Sequence, residues 1–192
     1  MHDGPERQQY SCLYGPGVDV SDLGASAFGE LAKDKPAQLL VPADTLHDFA
    51  YVPDIARAAI MLLDASDEDF GQAWNMPCAP TRSPRALLAM GAAVLGDRLR
   101  VWAVPLALLR LLGLFYRFAK EVADVGFTWD RAYVVHGGKF SRRFDFVPTS
   151  FEIGVPATVR AFAARAGQPP RRSMMRSLMR SHPSHSKATH SR

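Results

Sequence analysis

The chain has 192 residues, 47% of them hydrophobic and 22% charged, the balance of an ordinary globular protein and not of a disordered, collagen-like or disulfide-framed one. Its formal charge of +4 is uneven: residues 168–192 hold six of the 23 bases (Arg171, Arg172, Arg176, Arg180, Lys187 and Arg192) and no acid, leaving 17 bases against 19 acids in the body 1–167. A basic nucleic-acid-binding domain is thereby excluded, and two cysteines without metal-like spacing, Cys12 and Cys78, exclude zinc fingers and disulfide scaffolds and suit a reducing cytoplasm.

Residues 1–9 lack the apolar stretch of a signal peptide, so they are read as an irregular N-terminus and export is not expected. From Ser21, an N-cap candidate, to Lys33, the apolar Leu23, Ala27, Phe28 and Leu31 fall near helical spacing, and Lys35-Pro36 stops the helix. Apolar stretches at Gln38 to Val41 and Phe49 to Val52, separated by the polar Pro42 to Thr45, predict a hairpin or two short strands.

Pro53 at a first helical turn, followed by Ile55, Ala56, Ala59, Ile60, Leu62 and Leu63, marks the clearest helix of the chain, ending before the acidic turn Asp64 to Asp69. A strand is expected over Ala73 to Met76, then a helix from its N-cap Ser83 to a Gly96 stop. Arg98 to Val104 and Tyr133 to Val135 read as strands, Leu106 to Leu114 as an apolar helix packed against the sheet, and Phe151 to Ala166 as a last amphipathic helix. Trp102 and Trp129 read as core or cover. Within Val101 to Ala119, Pro105, Arg110 and Arg117 interrupt the apolar run, which predicts a buried or interfacial helix and no transmembrane span. Residues 168–192, rich in Ser, Arg, His and Met, have too little to bury and read as a disordered basic tail. Strands alternating with helices make the fold class α/β.

Three motifs in order, Tyr14-Gly15-Pro16-Gly17, then His47-Asp48-Phe49-Ala50-Tyr51-Val52-Pro53-Asp54-Ile55-Ala56, then Gly71-Gln72-Ala73-Trp74-Asn75-Met76-Pro77, together resemble the C-terminal half of extended short-chain dehydrogenase/reductases, the NAD-dependent epimerase/dehydratase proteins. The resemblance implies the C-terminal portion of a Rossmann-like fold, with residues 10–167 as the substrate-binding portion and the nucleotide-binding half missing. It implies NAD or NADP as the family's cofactor and a nucleotide sugar or similar small molecule as substrate. The loop Tyr14, Gly15, Pro16 and Gly17 then borders the cofactor and substrate cleft; as a turn, its two glycines around a proline let backbone approach a ligand closely. His47, Tyr51, Asn75 and Arg82 are the candidate substrate-binding residues. His47 either touches substrate or is a satisfied turn residue, Arg82 and Arg85 flank a helix start that suits an anion or a solvated face, and Asp54 ties its helix start to a neighbouring loop. No residue is assigned a catalytic or a metal-binding role.

The family's Gly-x-x-Gly-x-x-Gly turn, which sets a helix N-terminus against the dinucleotide pyrophosphate, has no counterpart in these 192 residues, since neither Gly15-x-Gly17 nor Gly137-Gly138 extends to a third glycine. Tyr116-Arg117-Phe118-Ala119-Lys120 matches the family's Tyr-x-x-x-Lys pair but follows the Tyr-Gly-Pro-Gly loop instead of preceding it, and is read as coincidence. The leading reading is therefore a substrate-binding portion that is inactive alone and binds no cofactor by itself. It arises from a truncated or frame-shifted gene or a late start codon, and is cytoplasmic. Such a piece is expected to expose an unpaired strand edge and apolar side chains around Phe49, Val52 and Trp74, and so to form a homo-oligomer or to need an N-terminal half. Two other readings are a membrane-surface or protein-interaction module using the apolar helix 106–118 and the basic tail, and an intact small enzyme using Tyr116 and Lys120.

Overall fold

The computed structural model describes residues 12–39, 42–105, 107, 108, 111, 114–117, 120 and 131–167. The expectations for 1–9, for Trp129 and for the tail 168–192 lie outside them, as does most of the helix expected at 106–118. The described chain is α/β, as its sequence pattern predicts. In order come β1 (Cys12–Tyr14), a π-helical turn (Gly24–Gly29), β2 (Ala37–Leu39), β3 (Phe49–Tyr51), α1 (Val52–Leu63), a 3-10 turn (Asp67–Asp69), α2 (Pro84–Leu95), β4 (Val101–Ala103), α3 (Gly138–Phe144) and α4 (Phe151–Arg165).

The strands form two separate parallel pairs: β1 with β3, Cys12 opposite Phe49 and Tyr14 opposite Tyr51, and β2 with β4, Ala37 opposite Val101 and Leu39 opposite Ala103. Of the hairpin or two short strands expected over 38–52, the two strands are formed and the hairpin is not. The segment between them is held by α2, where Arg85 donates its backbone N–H to the Ala43 carbonyl at 2.8 Å and grips the Asp44 carboxylate at 2.6 and 3.1 Å. Ala73 to Met76 has no regular structure and lies in no sheet. Trp74 is turned into a local cluster, its ring 5.9 Å from Phe140 and 5.2 Å from Phe144, its indole N–H donating to the Asp69 carbonyl at 2.9 Å. Tyr133 keeps only a single bridge, to His47.

The helices follow their end signals. Pro53 occupies the first turn of α1. Ser83 caps α2, its hydroxyl accepting from the Ala86 N–H at 3.3 Å, and Gly96 ends it in the left-handed region at φ 73°. Ser21, by contrast, caps nothing, because the chain enters its helix at Gly24 and winds wide there, with the Phe28 N–H reaching back five residues to the Leu23 carbonyl. The apolar spacing was nonetheless the right signal: Leu23, Ala27, Phe28 and Leu31 are all buried.

Most of the core lies where the π-helical turn, α2 and α4 meet, around Phe28, Leu39, Leu87, Leu88, Val155 and Val159. Gly91 lets the helices close up, since a Cβ there would come within 3.0 Å of both Phe28 and Val159. A second, smaller core gathers Ala58, Phe140 and Phe146 with Trp74 and Phe144. Arg143 clamps it to the 3-10 turn, donating to both Asp69 oxygens at 2.7 and 2.8 Å and holding that carboxyl below the usual carboxylate range.

The apolar surface is not where the sequence suggested. Phe49 is buried, and Val52 and Trp74 are partly so. The exposed apolar side chains include Ile60 and Leu63 on α1, which present a stripe with Ala56 and Ala59. Trp102 is 64% exposed on β4, so it is neither core nor cover, and Leu108, Leu111 and Leu114 are exposed where packing against the sheet was expected.

Tyr14 shows how tightly the larger core is set. Its ring packs 5.1 Å from Tyr51 and 5.7 Å from Phe151, and its hydroxyl lies 2.5 Å from where a Cβ on Gly154 of α4 would be. Glycine to alanine in an open helix stabilises by roughly 0.5–1 kcal/mol. Here Gly154→Ala is expected to destabilise, by about 1–3 kcal/mol, the usual cost of overpacking. Tyr14→Phe removes a buried hydroxyl without a hydrogen-bond partner and is expected to restore most of that loss in the double variant. Urea melts showing the double variant no more stable than Gly154→Ala would refute this account.

Candidate functional site

Because β1 and β3 are parallel, both C-terminal ends open on the same side of the pair, the end at which open α/β sheets place their ligands. The Gly15-Pro16-Gly17 turn leaves β1 there and α1 leaves β3. The Val18 N–H closes the turn on the Gly15 carbonyl at 3.2 Å, with Pro16 at its second position and Gly17 at φ 83°, the residue pattern of a type II turn. Gly15, at φ 151°, is pressed so close to α1 that a Cβ would meet Pro53 at 3.3 Å. Pro16 and Gly17 are exposed. Tyr14 itself points into the core and presents no group to a ligand; burial pushes its hydroxyl pKa up.

The segment 47–54 holds the surrounding loops through two buried carboxylates. Asp48 accepts from the Thr81 hydroxyl at 2.6 Å and from the Val135 N–H at 2.7 Å. Asp54, in the first turn of α1, accepts from the Thr149 N–H at 2.6 Å and its hydroxyl at 2.8 Å, with Arg57 at 3.2 Å. Asp54 thus joins its helix start to a neighbouring loop. Arg57 adds a further tie by donating to the Val147 carbonyl at 2.6 Å while lying 4.3 Å above the Phe146 ring. Backbone bonds complete the frame: His47 exchanges both of its backbone bonds with Arg82, and Asp48 donates to the Tyr133 carbonyl.

These pinned loops enclose an open concavity of about 450 Å³, lined among others by Cys78, Val135, His136, Gly137, Ser141 and Pro148. Asp48 holds Val135 of its lining and Thr81 next to Pro80, and Asp54 holds Thr149 next to Pro148. Cys78 is a thiol at neutral pH and not a nucleophile, since burial first, and then the charges of Asp48 and Asp54, push its pKa up to about 12.

The four candidate substrate-binding residues are not gathered in this concavity. His47 is 1% exposed with its ring stacked 6.2 Å from Tyr133, and it does not line the concavity. Tyr51 is half-buried against Tyr14, and Asn75 and Arg82 are exposed outside it. Arg85 is taken up by Asp44. Tyr116 and Lys120 stand one helical turn apart, the Lys120 N–H on the Tyr116 carbonyl at 3.1 Å, and both are exposed outside the concavity. The lining residues Cys78, His136 and Ser141 were missed as a site. Pro77 to Thr81 reads as a plain loop, and α3 has only Phe140 and Phe144 as an apolar signal among four polar or charged residues.

No family model matches this sequence, and no curated protein matches it. Solved structures share its fold. The UDP-glucuronic acid 4-epimerase of Bacillus cereus, solved with UDP-glucuronic acid and NAD, superposes with a TM-score of 0.59 at 17% identity, over 80% of this chain and 43% of its own. The dTDP-glucose 4,6-dehydratase of Bacillus anthracis with NAD gives 0.56 at 16% identity, over 82% and 44%. The UDP-glucose 4-epimerase of Thermus thermophilus with NAD gives 0.55 at 22% identity, over 78% and 43%. The chain spans less than half the length of these proteins. It has their α/β, Rossmann-like fold over that part, the fold of the extended short-chain dehydrogenase/reductases.

Proposed function

We propose that residues 10–167 are the substrate-binding portion of an NAD-dependent epimerase/dehydratase, and that a nucleotide sugar or a similar small molecule occupies the concavity lined by Cys78, Val135, His136 and Ser141. The observation that carries this reading is the Asp54–Thr149 tie, which joins the start of α1 to the loop beside Pro148. That tie occurs in a chain whose fold is shared with three enzymes of nucleotide sugars. Cys78, His136 and Ser141 supply the polar side chains that would face the ligand.

By this reading the 192 residues neither bind NAD or NADP usefully nor turn over a sugar nucleotide alone. They hold no glycine turn for the pyrophosphate, and Tyr116 and Lys120 stand apart from the concavity. The apolar stripe Ala56, Ala59, Ile60 and Leu63 and the two-stranded parallel pair β1–β3 are surfaces that another body would cover, since parallel strands are stable when buried in larger sheets. A nucleotide-binding N-terminal half, or a second copy, is the partner this suits. Two free thiols, one of them buried, fit the cytoplasm.

The test is amide chemical-shift mapping on the full chain. UDP-glucose at millimolar concentration is expected to shift Val135, His136, Gly137 and Gly138 and to leave α2 unmoved. NAD at the same concentration is expected to shift nothing. Absence of the first response would overturn the substrate reading, and a micromolar NAD constant by calorimetry would overturn the second.

A further inference from the structure

We propose that Arg142, with the Ser141 hydroxyl and the His136 imidazole, forms an anion subsite on the α3 wall of the concavity, and that the ligand held there carries a phosphate or diphosphate group. The proposal rests on the reading of the concavity as the substrate site and narrows it, since small molecules without an anionic group are excluded as ligands. The first observation is that the Arg142 guanidinium is left over by the fold. Most arginines of the described residues are taken up: Arg57 by Asp54, Arg85 by Asp44, Arg100 by Asp34, Arg143 by Asp69 and Arg165 by Asp19. Arg142 is exposed and has neither an ion pair nor a side-chain hydrogen bond among the described residues. Its neighbour Arg143 clamps the 3-10 turn through both Asp69 oxygens, so α3 gives one guanidinium to the fold and leaves the other available.

A free arginine on a surface is ordinarily a solvated one, and the second observation is where this one lies. Gly138 lines the concavity, and the Arg142 Nη1 lies 3.1 Å from the position a Cβ on Gly138 would take. The guanidinium is therefore folded back one turn of α3, over a residue of the lining. Ser141, three residues after Gly138 and so on the same face of the helix, lines the concavity too, as does His136 just ahead of α3. Three polar side chains of different reach thus stand on one wall.

The third observation is the sign of the charge. Among the described residues the lining holds no Asp or Glu, in a body whose acids outnumber its bases. The two carboxylates behind it are engaged, Asp48 by Thr81 and Val135 and Asp54 by Thr149 and Arg57. Their charge still reaches Cys78 and helps to keep its thiol neutral, which disfavours an anion against that wall and leaves the α3 wall for it. The planar fork of an arginine pairs with two phosphate oxygens at once, and a hydroxyl and an imidazole beside it supply the further donors that a phosphate accepts.

The test is titration of the full chain with inorganic pyrophosphate and, separately, with UDP-glucose, read by calorimetry and by amide shifts. Pyrophosphate is expected to shift Gly138 and Ser141, and its affinity to fall at least about tenfold in Arg142→Gln and by less in Arg142→Lys, which keeps the charge and loses the fork. Arg98→Gln removes the same charge from a residue that does not line the concavity and should leave the affinity unchanged. UDP-glucose affinity should fall in Arg142→Gln by the same factor, while glucose and uridine, which offer no anion, should shift neither amide. The melting temperature of Arg142→Gln should match the wild type, because no ion pair or hydrogen bond within the described fold is lost. No response to pyrophosphate, equal affinity in Arg142→Gln and wild type, an equal loss in Arg98→Gln, or binding of uridine or glucose as tight as that of UDP-glucose would overturn the proposal. So would UDP-glucose binding at 135–138 that ignores Arg142→Gln, although the substrate reading would then stand. Pyrophosphate binding that depends on Arg142, without any response to UDP-glucose, would uphold the subsite and overturn the substrate reading.

Discussion

Asp54→Ala is expected to cost about 3 kcal/mol of stability, the scale of losing two hydrogen bonds from a loop to a buried carboxylate, since bonds to charged groups are worth about 1.5–3 kcal/mol each. The carboxylate is almost wholly buried and accepts two bonds from Thr149 at 2.6 and 2.8 Å with Arg57 at 3.2 Å. Alanine leaves the Thr149 N–H without its acceptor, deprives the first turn of α1 of the negative charge its dipole favours, and leaves Arg57 with only the Val147 carbonyl and the Phe146 ring. Asp54→Asn keeps one acceptor oxygen and should lose less, about half as much. A double-mutant cycle with Thr149→Val separates the tie from general packing: the coupling should be at least about 1 kcal/mol. Urea melts in which Asp54→Ala and Thr149→Val simply add would show that the loop at 147–149 is held by something else. Pro148 lines the concavity, so the same variant should weaken UDP-glucose binding more than its stability loss explains.

What the sequence made legible was local. Ser83 and Gly96 bracket α2 because capping and left-handed backbone are decided by one or two residues, and Pro53 marks the start of α1 for the same reason. Asp54 was legible through its place in a motif, and its partner Thr149, 95 positions away, was not. Strand pairing depends on the same long-range information. Phe49–Tyr51 and Ala37–Leu39 carry an apolar pattern that predicts strands, but nothing in either stretch says that they pair with Cys12–Tyr14 and Val101–Ala103 and not with each other. The lining of the concavity was beyond the sequence for a related reason. His47 and Tyr51 lie in the motif that frames the concavity, yet the first turns its ring to Tyr133 and the second its ring to Tyr14, so they build the frame and leave its lining to loops without periodicity. That the stripe on α1 faces outward was not legible either, because amphipathicity gives the width of an apolar face and not which side of the molecule receives it.

Gly137→Ala is expected to have the largest effect of any single methyl group added to the concavity. Gly137 is buried with φ −84°, an ordinary backbone conformation, so its requirement for glycine is one of space alone. A Cβ there would collide with the Cα of Pro77 and come within 2.5 Å of its nitrogen, and both residues line the concavity. A clash with a side chain can be relieved by a rotamer change. A clash with the backbone of a proline cannot, so one wall must shift away from the other. Overpacking typically costs about 1–3 kcal/mol, and a rigid backbone partner puts this case at the upper end. The neighbouring Gly138 supplies the control: a Cβ there would meet only the tip of the Arg142 side chain, at 3.1 Å, which can swing aside. Gly138→Ala should therefore cost less than about 1 kcal/mol, while Gly137→Ala lowers the urea midpoint and abolishes the UDP-glucose shifts at Val135 and His136. Equal tolerance of alanine at the two positions would mean that the loops 76–78 and 135–138 do not meet in solution, and the concavity they enclose would have to be given up as the site.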